Sequence, residues 1–494
     1  MTHPNVSRRS FLKQTASACS ALSLPVLFTG CESKKTPNIL WLISEDTSPD
    51  LACYGNKLVK TPHLDGLAKQ GIRFTNAFAT CPVCSPVRSG FMTGMYQTTI
   101  GAHNHRTRDK KPLPEPVKVI THFFRNAGYY TANITDPAPG VRGTGKTDWN
   151  FDPGAKPFDG EKWEELKTRQ PFFAQVNFQM THRAFKRDPE NPVDPDDVQV
   201  PPYYPDHPVT RRDWADYLES LQVLDKDIGK VLKRLEDEGL ADNTIVLYFG
   251  DHGRPHVRGK QWLYEGGIHV PLIVRWPGRL KPGQVNDALV STIDFAPTCM
   301  RLAGITPPEH LQGNVFLGNQ SKERKYIFAA RDRCDETVDR IRCVRDKQFK
   351  YIKNFMPDRP YMQFNAYKQR QYPVFSLLQV LHKQKKLTRA QESFMAKQRL
   401  VEELYDLQAD PHEINNLAED PQYRDKLTEM RNVLNDWIVE TEDKGEIPEP
   451  REETEYWQNM QSQRHEETLK DRGLTRRSMP EDYMKYWNKK LGLE

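Results

Sequence analysis

The chain has 494 residues, with 71 lysines and arginines against 66 aspartates and glutamates, a formal net charge of +5 and 10% aromatic residues. So small a net charge, mixed along the chain, argues against a nucleic-acid-binding protein, and the aromatic content excludes disorder for the body of the chain. The length exceeds what one hydrophobic core supports, so we expect a large domain and a smaller one.

Residues 1–31 have the pattern of an export signal. The segment 7–13, SRRSFLK, matches a twin-arginine signal, and the apolar stretch 16–28 that follows is too short to cross a membrane. The sequence LFTGC, ending at Cys31, is similar to a lipobox except for Phe28, so lipidation of Cys31 and simple cleavage are both open. We expect export by the twin-arginine route to the periplasm or the outer cell surface, with a membrane contact only through a lipid on Cys31.

Buried strands and helices are predicted to alternate in the part of the chain that follows. Continuous apolar runs of strand length are typical of buried parallel strands, and they occur at 38–43, 172–178 and 244–249. Helical patterns begin at Thr61-Pro62 and extend from about Trp214 to Glu238. This alternation predicts an α/β fold, with a large, mostly parallel (mixed) sheet sandwiched by helices.

The sequence pattern changes near residue 320. Alternating polarity at 342–354 and a charged, helical pattern at 387–443 predict a smaller C-terminal α+β subdomain. We therefore divide the mature chain into three parts: a catalytic domain at 36–320, a C-terminal subdomain at 321–450 and a helical tail at 451–494.

Polar side chains follow three of the predicted strands directly. They are Glu45 and Asp46, then Thr181 and His182, then Asp251 and His252. Ligands of open α/β sheets bind beyond the carboxyl ends of the strands, so we expect these residues at one edge of the sheet. The first and last pairs supply three carboxylates, which are ligands that calcium prefers.

The segment 84–94, CSPVRSGFMTG, indicates an enzyme. A thiol attacks carbonyl carbon well, but Pro86 stiffens the turn here and Arg88 suits an anionic neighbour, which favours sulfate or phosphate chemistry. Cys81 and Cys84 have the spacing of a redox dithiol, which is an alternative interpretation, although such a pair needs neither the proline nor the arginine.

This segment resembles the signature of type I sulfatases, members of the alkaline phosphatase superfamily. The resemblance extends from Asn38 to about Leu417 and is greatest to the sulfamidase group, which includes heparan N-sulfatase. It implies that a maturation enzyme oxidises Cys84 to formylglycine (3-oxoalanine) and that each chain holds one Ca²⁺.

The same resemblance implies a role for individual residues. The metal ligands would be Glu45, Asp46, Cys84, Asp251 and His252, with Glu45 and His252 standing where the family usually has aspartate and asparagine. The catalytic residues would be Cys84, Arg88, Lys146, His182, Lys260 and Asp148. Asp148 stands where sulfatases usually have a histidine that helps to eliminate sulfate from the enzyme. Either Asp148 serves as the base in that elimination, or the elimination is arranged differently.

Candidate substrate contacts have mixed charges that suit a sulfated and carboxylated sugar. They are His103, His105, Arg106, His256, Arg331, Arg333, Asp335 and Glu336, with Arg340 beside them. A salt-bridged surface loop is the alternative for each. Cys334 and Cys343 would be able to pair in an oxidising compartment, and the sequence leaves this open.

The predicted function is that of a sulfatase that hydrolyses sulfate esters or N-sulfate groups of sulfated saccharides. Its partners would be the saccharide and the formylglycine-generating enzyme. One alternative is a phosphonate monoester hydrolase or phosphodiesterase of the same superfamily. Another is a catalytically inactive cell-surface protein that binds sulfated glycans.

Overall fold

The computed structural model describes residues 35–494. Its central element is a seven-stranded mixed sheet. The predicted export signal and Cys31 lie outside the described residues. The sheet has the strand order β3-β4-β1-β5-β6-β2-β7. Its strands are β1 Asn38–Ser44, β2 Ile72–Phe78, β3 Tyr130–Ile134, β4 Phe172–Phe178, β5 Thr244–Gly250, β6 His269–Arg275 and β7 Gln284–Ser291.

Parallel pairing dominates the centre of this sheet. Strand β1 pairs in parallel with both β4 and β5, while β6 runs antiparallel to β5 and β2. All residues of β1, β4 and β5 are buried, as expected for strands covered by helices on both faces. The three strands predicted from apolar runs are therefore confirmed.

Helices cover the sheet and also occur throughout the C-terminal part. Their bounds are α1 Pro62–Gln70, α2 Cys84–Thr93, α3 Ile120–Asn126, α4 Pro208–Asp237, α5 Glu265–Ile268, α6 Phe295–Leu302, α7 Ala366–Gln371, α8 Pro373–Lys383, α9 Arg389–Glu392, α10 Arg424–Glu440, α11 Arg451–Asp471 and α12 Pro480–Leu491. Helix α4 begins six residues before the predicted Trp214, because the His207 side chain accepts a hydrogen bond from the Val209 amide and Pro208 occupies the first helical position. No helix in residues 35–494 combines the length and apolarity that a membrane span needs.

A second, antiparallel sheet has the order β11-β10-β9-β8. It comprises β8 Ile327–Arg331, β9 Ile341–Arg345, β10 Phe349–Asn354 and β11 Glu402–Asp406. The charged stretch predicted to be helical thus contains β11 as well as α10. The fold class, a mixed sheet between helices with a smaller α+β part, is confirmed.

The predicted boundary near residue 320 falls between the two sheets. Residues Thr36–Glu494 nevertheless form one compact unit. Buried Lys350 of β10 contributes to this, since its Nζ lies 2.7 Å from Glu265 of α5 and 2.8 Å from Glu413. The division into three parts stays a prediction, although the predicted helical tail does contain α11 and α12.

Candidate active site

Cys84 is the first residue of α2 and lies buried at the centre of the site. Its Sγ is 3.3 Å from His252 Nε2, 3.6 Å from Lys260 Nζ and 4.0 Å from Asp46 Oδ1. Burial alone would raise the pKa of the thiol, but Lys146, Lys260 and His252 outweigh it and lower the pKa. The position at a helix N-terminus also favours negative charge. The site therefore stabilises an anionic group at this residue.

Asp46 and Asp251 are brought together by the pairing of β1 with β5, whose last residues Ser44 and Gly250 are in register. Asp251 Oδ1 accepts hydrogen bonds from the backbone amides of Asp46, at 2.9 Å, and His252, at 2.8 Å. The two strand ends are thus cross-linked at the edge of the sheet that the sequence predicted.

Four side chains are arranged as a candidate cation site. The potential ligand atoms of Asp46, Cys84, Asp251 and His252 all lie within 4.8 Å of one another, and all four residues are buried. Burial would lower the pKa of His252, but Asp251 and Asp46 raise it to about 10, so this position strongly favours a positive charge. A divalent cation meets that requirement through two carboxylates and an imidazole, and the residues fit one.

Glu45 is oriented differently from Asp46. Its Oε2 lies 2.7 Å from Lys146 Nζ, and it is not one of the four residues grouped above. Its role as a metal ligand stays a prediction.

Arg88 fixes the orientation of Asp251. It lies one helical turn after Cys84, and its Nε and Nη2 donate to Asp251 Oδ2 at 3.1 and 2.9 Å. Its Nη1 donates to Asn177 Oδ1 at 2.7 Å. Both Arg88 and Asp251 are buried, so this paired, charge-assisted contact holds the carboxylate in one orientation.

The predicted Lys146, His182 and Lys260 lie around this centre. Lys260 Nζ is 2.9 Å from each carboxylate oxygen of Asp46. His182 Nε2 lies 4.0 Å from Asp46 Oδ2, and the His182 side chain is 30% exposed, so it faces the opening. Its Nδ1 lies 2.7 Å from the Arg183 carbonyl oxygen, which can only accept, so Nδ1 carries a hydrogen and Nε2 is directed toward the site.

Asp148 forms a forked ion pair with Arg106. The Arg106 Nε and Nη2 atoms donate to the two Asp148 oxygens, each at 3.0 Å, and Lys146 Nζ is 3.8 Å away. Burial would raise the pKa of Asp148, but Arg106 and Lys146 hold it well below its usual range. Such a carboxylate is a poor proton acceptor, and the catalytic role of Asp148 stays a prediction.

The other predicted substrate contacts fall into two groups. His105 lies beside Arg106 and pairs with Asp335, with Nδ1 and Oδ1 3.3 Å apart and Cys334 Sγ 3.8 Å from the same nitrogen. Four of the remainder are engaged by internal polar partners: Arg331 with Asp339, Arg333 with Glu449, Arg340 with Glu446, and Glu336 with the Ala366 amide. The last two, His256 against the Trp214 ring and His103, are buried. Their role in substrate binding stays a prediction.

Two further residues of the site, Tyr367 and Asn177, were not among those predicted from the sequence. Tyr367 of α7 has its ring 6.0 Å from the His182 ring and 5.5 Å from Lys260 Nζ. Asn177, which holds Arg88, was detectable as one of two polar residues, with Gln175, in an apolar strand, whereas no sequence pattern marks Tyr367. The six cysteines in the described part of the chain are free thiols, Cys81, Cys334 and Cys343 among them.

Known proteins that are similar to this chain in sequence or in fold include several sulfatases. A family model described as Sulfatase matches residues 37–152 and 160–305, and one described as N-sulphoglucosamine sulphohydrolase, C-terminal, matches 250–374. The chain is 34% identical to an ulvan-active sulfatase from Formosa agariphila over 86% of this chain and 79% of that protein. It is 28% identical to human N-sulphoglucosamine sulphohydrolase over 86% and 94% of the two chains. A solved 2-O GAG sulfatase has the same fold, with a TM-score of 0.61 and 21% identity over 84% of this chain and 94% of that one.

Proposed function

Because this chain belongs to the sulfatase family, a hydrolase family, we propose that it releases sulfate from a sulfated saccharide with Cys84, matured to formylglycine, as the nucleophile. The observation that carries this proposal is the position of Cys84. Its Sγ lies within 4.0 Å of Asp46, His252 and Lys260, with Lys146 and His182 alongside. A cluster of cations around one nucleophile suits a tetrahedral oxyanion that gains charge as it reacts.

Formylglycine at residue 84 and a divalent cation would each supply one kind of chemistry. A hydrated aldehyde at residue 84 would provide two hydroxyls, one to attack sulfur and one to expel sulfate and regenerate the aldehyde. A divalent cation, which we propose to be Ca²⁺, would be held by Asp46, Asp251 and His252 and would act as a Lewis acid toward sulfate oxygens.

The chain's own residues would carry the remaining steps. Arg88 would hold Asp251 in place beside residue 84. Lys146 and Lys260 would bind the sulfate, and His182 Nε2 would donate a proton to the departing oxygen or nitrogen of the sugar. Its partial exposure supports this role, since the leaving group must depart toward solvent.

The substrate class follows from the relatives. One is named an ulvan-active sulfatase and another an N-sulphoglucosamine sulphohydrolase, so we propose a sulfated polysaccharide fragment with either an O-sulfate or an N-sulfate. From the predicted export signal in residues 1–31 we propose action outside the cytoplasm, with membrane contact through a lipid on Cys31. A phosphonate or phosphate diester is the competing substrate, and glycan binding without turnover is the competing function.

The experiment is co-production with a formylglycine-generating enzyme, followed by peptide mass spectrometry and sulfate-release assays. The substrates are paired aryl sulfates and phosphate esters together with N- and O-sulfated saccharides. We expect an aldehyde at residue 84 and sulfate release that Cys84→Ala abolishes. Preferential phosphate-ester cleavage would favour the phosphonate hydrolase, and an aldehyde without turnover would favour the binding protein.

A further inference from the structure

Arg106 and Asp148, which form an ion pair, each have an unfavourable backbone conformation that the surrounding structure imposes. The φ angles are 59° at Arg106 and 52° at Asp148, in the left-handed region that non-glycine residues seldom occupy. The neighbours of Arg106 are fixed, because the His105 amide donates to the Arg333 carbonyl at 3.0 Å and the Thr107 amide to Asn150 Oδ1 at 2.7 Å. Backbone strain of this kind persists where surrounding contacts impose it, commonly at functional sites.

The pair extends outward from the reactive centre. Lys146 lies 3.8 Å from Asp148, and Asp148 lies 3.0 Å from Arg106. The side chains of Lys146, Asp148 and Arg106 are 16%, 14% and 42% exposed, whereas Cys84 is buried. The Asp148 carboxylate therefore lies between Lys146 and the Arg106 guanidinium. The guanidinium is the more exposed of the two cations and lies at the rim of the site.

Part of the guanidinium is left for a ligand. Asp148 engages Nε and Nη2, and Nη1 has no acceptor among residues 35–494. Asp148 thus fixes the plane of the guanidinium, whose remaining donors suit a planar or tetrahedral oxyanion. The Arg106 side chain is 42% exposed, so solvent screens the pair and reduces its contribution to stability.

We propose that Arg106 is a specificity-determining residue that binds a second oxyanion on the sugar, beside the sulfate that is released. This inference rests on the proposed function. Lys146 and Lys260 lie nearer to Cys84 and would serve the reacting sulfate, which leaves Arg106 for another group. The second group is a carboxylate or a further sulfate, which share the chemistry that a guanidinium recognises.

The test compares Arg106→Gln and Arg106→Lys with the wild-type full chain carrying formylglycine. Substrates are 4-nitrophenyl sulfate, a monosulfated neutral sugar, and matched sugars that carry either a second sulfate or a carboxylate. We expect Arg106→Gln to lower kcat/KM on the doubly anionic sugars by about 10- to 100-fold, and to change it less than about twofold on substrates with one anion. The doubly anionic sugar, disulfated or carboxylated, on which kcat/KM falls more identifies the oxyanion that Arg106 binds. Arg106→Lys should retain part of the selectivity.

Arg279→Gln is the matched control, because Arg279 is exposed and lies between β6 and β7, outside the segment that carries Arg106. It should leave all four rates near those of the wild type. An equal loss on every substrate after Arg106→Gln, or no loss on any, would overturn the inference while leaving the proposed function intact. A wild-type enzyme that releases sulfate from none of the four would instead refute the proposed function.

Discussion

At the scale of single residues, the site divides into groups that orient and groups that react. Arg88 is buried and bound to the carboxylate of Asp251, which it orients. His182 is partly exposed, and its Nε2 is directed toward the site. Substitutions in the two groups should therefore have different signatures.

The loss of kcat that follows replacement of His182 should increase with the basicity of the leaving group. We expect His182→Asn to lower kcat on a saccharide by about 100-fold, within the range of about 10²–10⁴ found for general acids. The loss on 4-nitrophenyl sulfate should be much smaller, because 4-nitrophenolate departs without a proton. Steady-state kinetics on both substrates measures this, with exposed His122→Asn as the control. An equal loss on both substrates would assign His182 to sulfate binding instead.

Arg88→Lys should impair activity although it keeps the charge. Lysine cannot reproduce the fork that holds Asp251 Oδ2 and Asn177 together. We expect kcat/KM to fall by about 100-fold and stability by about 2 kcal/mol, the range for disturbing hydrogen bonds to charged groups. Sulfate-release kinetics and urea denaturation measure the two effects. Activity within twofold of wild type would show that the orientation of Asp251 is not required.

At the scale of elements, α11 and the segment before it brace the substrate rim. Glu449 accepts from Arg333 and from Thr107 Oγ1, next to Arg106, and Arg333 also lies over the Trp457 ring of α11. Glu453 accepts from the Arg108 amide at 2.9 Å. The C-terminal tail therefore positions the rim segment that carries Arg106.

Glu449→Gln should weaken this brace. It removes the charge opposite Arg333, whose side chain is 2% exposed, and we expect a loss of about 2 kcal/mol in unfolding free energy, below the full cost of an unpaired buried charge. We also expect a higher KM for saccharides and an unchanged rate on 4-nitrophenyl sulfate, because the reactive centre is not contacted. Thermal denaturation and kinetics test both, with Glu455→Gln as control, since Glu455 pairs with exposed Arg451 in the same helix. A loss on the aryl substrate equal to that on saccharides would contradict the prediction.

What the sequence revealed depended on how local each signal was. Apolar runs predicted β1, β4 and β5. Asp46, His182 and Asp251 follow these strands in the sequence, and they were expected to lie together because parallel strands end at a common edge of the sheet. The direction of Glu45 was not predictable, since the left-handed turn at Asp46 separates two adjacent carboxylates. Tyr367 and Glu449 reach the site through long-range packing, which no local pattern records.

At the scale of the whole molecule, the grouped carboxylates at the strand ends link cation binding to stability. Asp46 and Asp251 are fully buried and follow β1 and β5, neighbouring strands at the centre of the sheet. A cation bound only by the folded chain adds about 2.7 kcal/mol when its concentration is 100 times Kd. The melting temperature should therefore rise by a few degrees with Ca²⁺ and fall again with EDTA.

Asp251→Asn should abolish most of that calcium-dependent shift, because it removes a charged ligand and releases Arg88 from its fork. Asp109→Asn is the matched control, since that carboxylate is 80% exposed and pairs with nearby Lys111, and its shift should equal that of the wild type. Differential scanning fluorimetry across Ca²⁺, Mg²⁺ and Mn²⁺ ranks the ions, and calcium should give the largest shift if larger, oxygen-rich coordination is preferred. The absence of a shift with all three ions in the wild type would refute a cation site, since binding that is confined to the folded state must stabilise it.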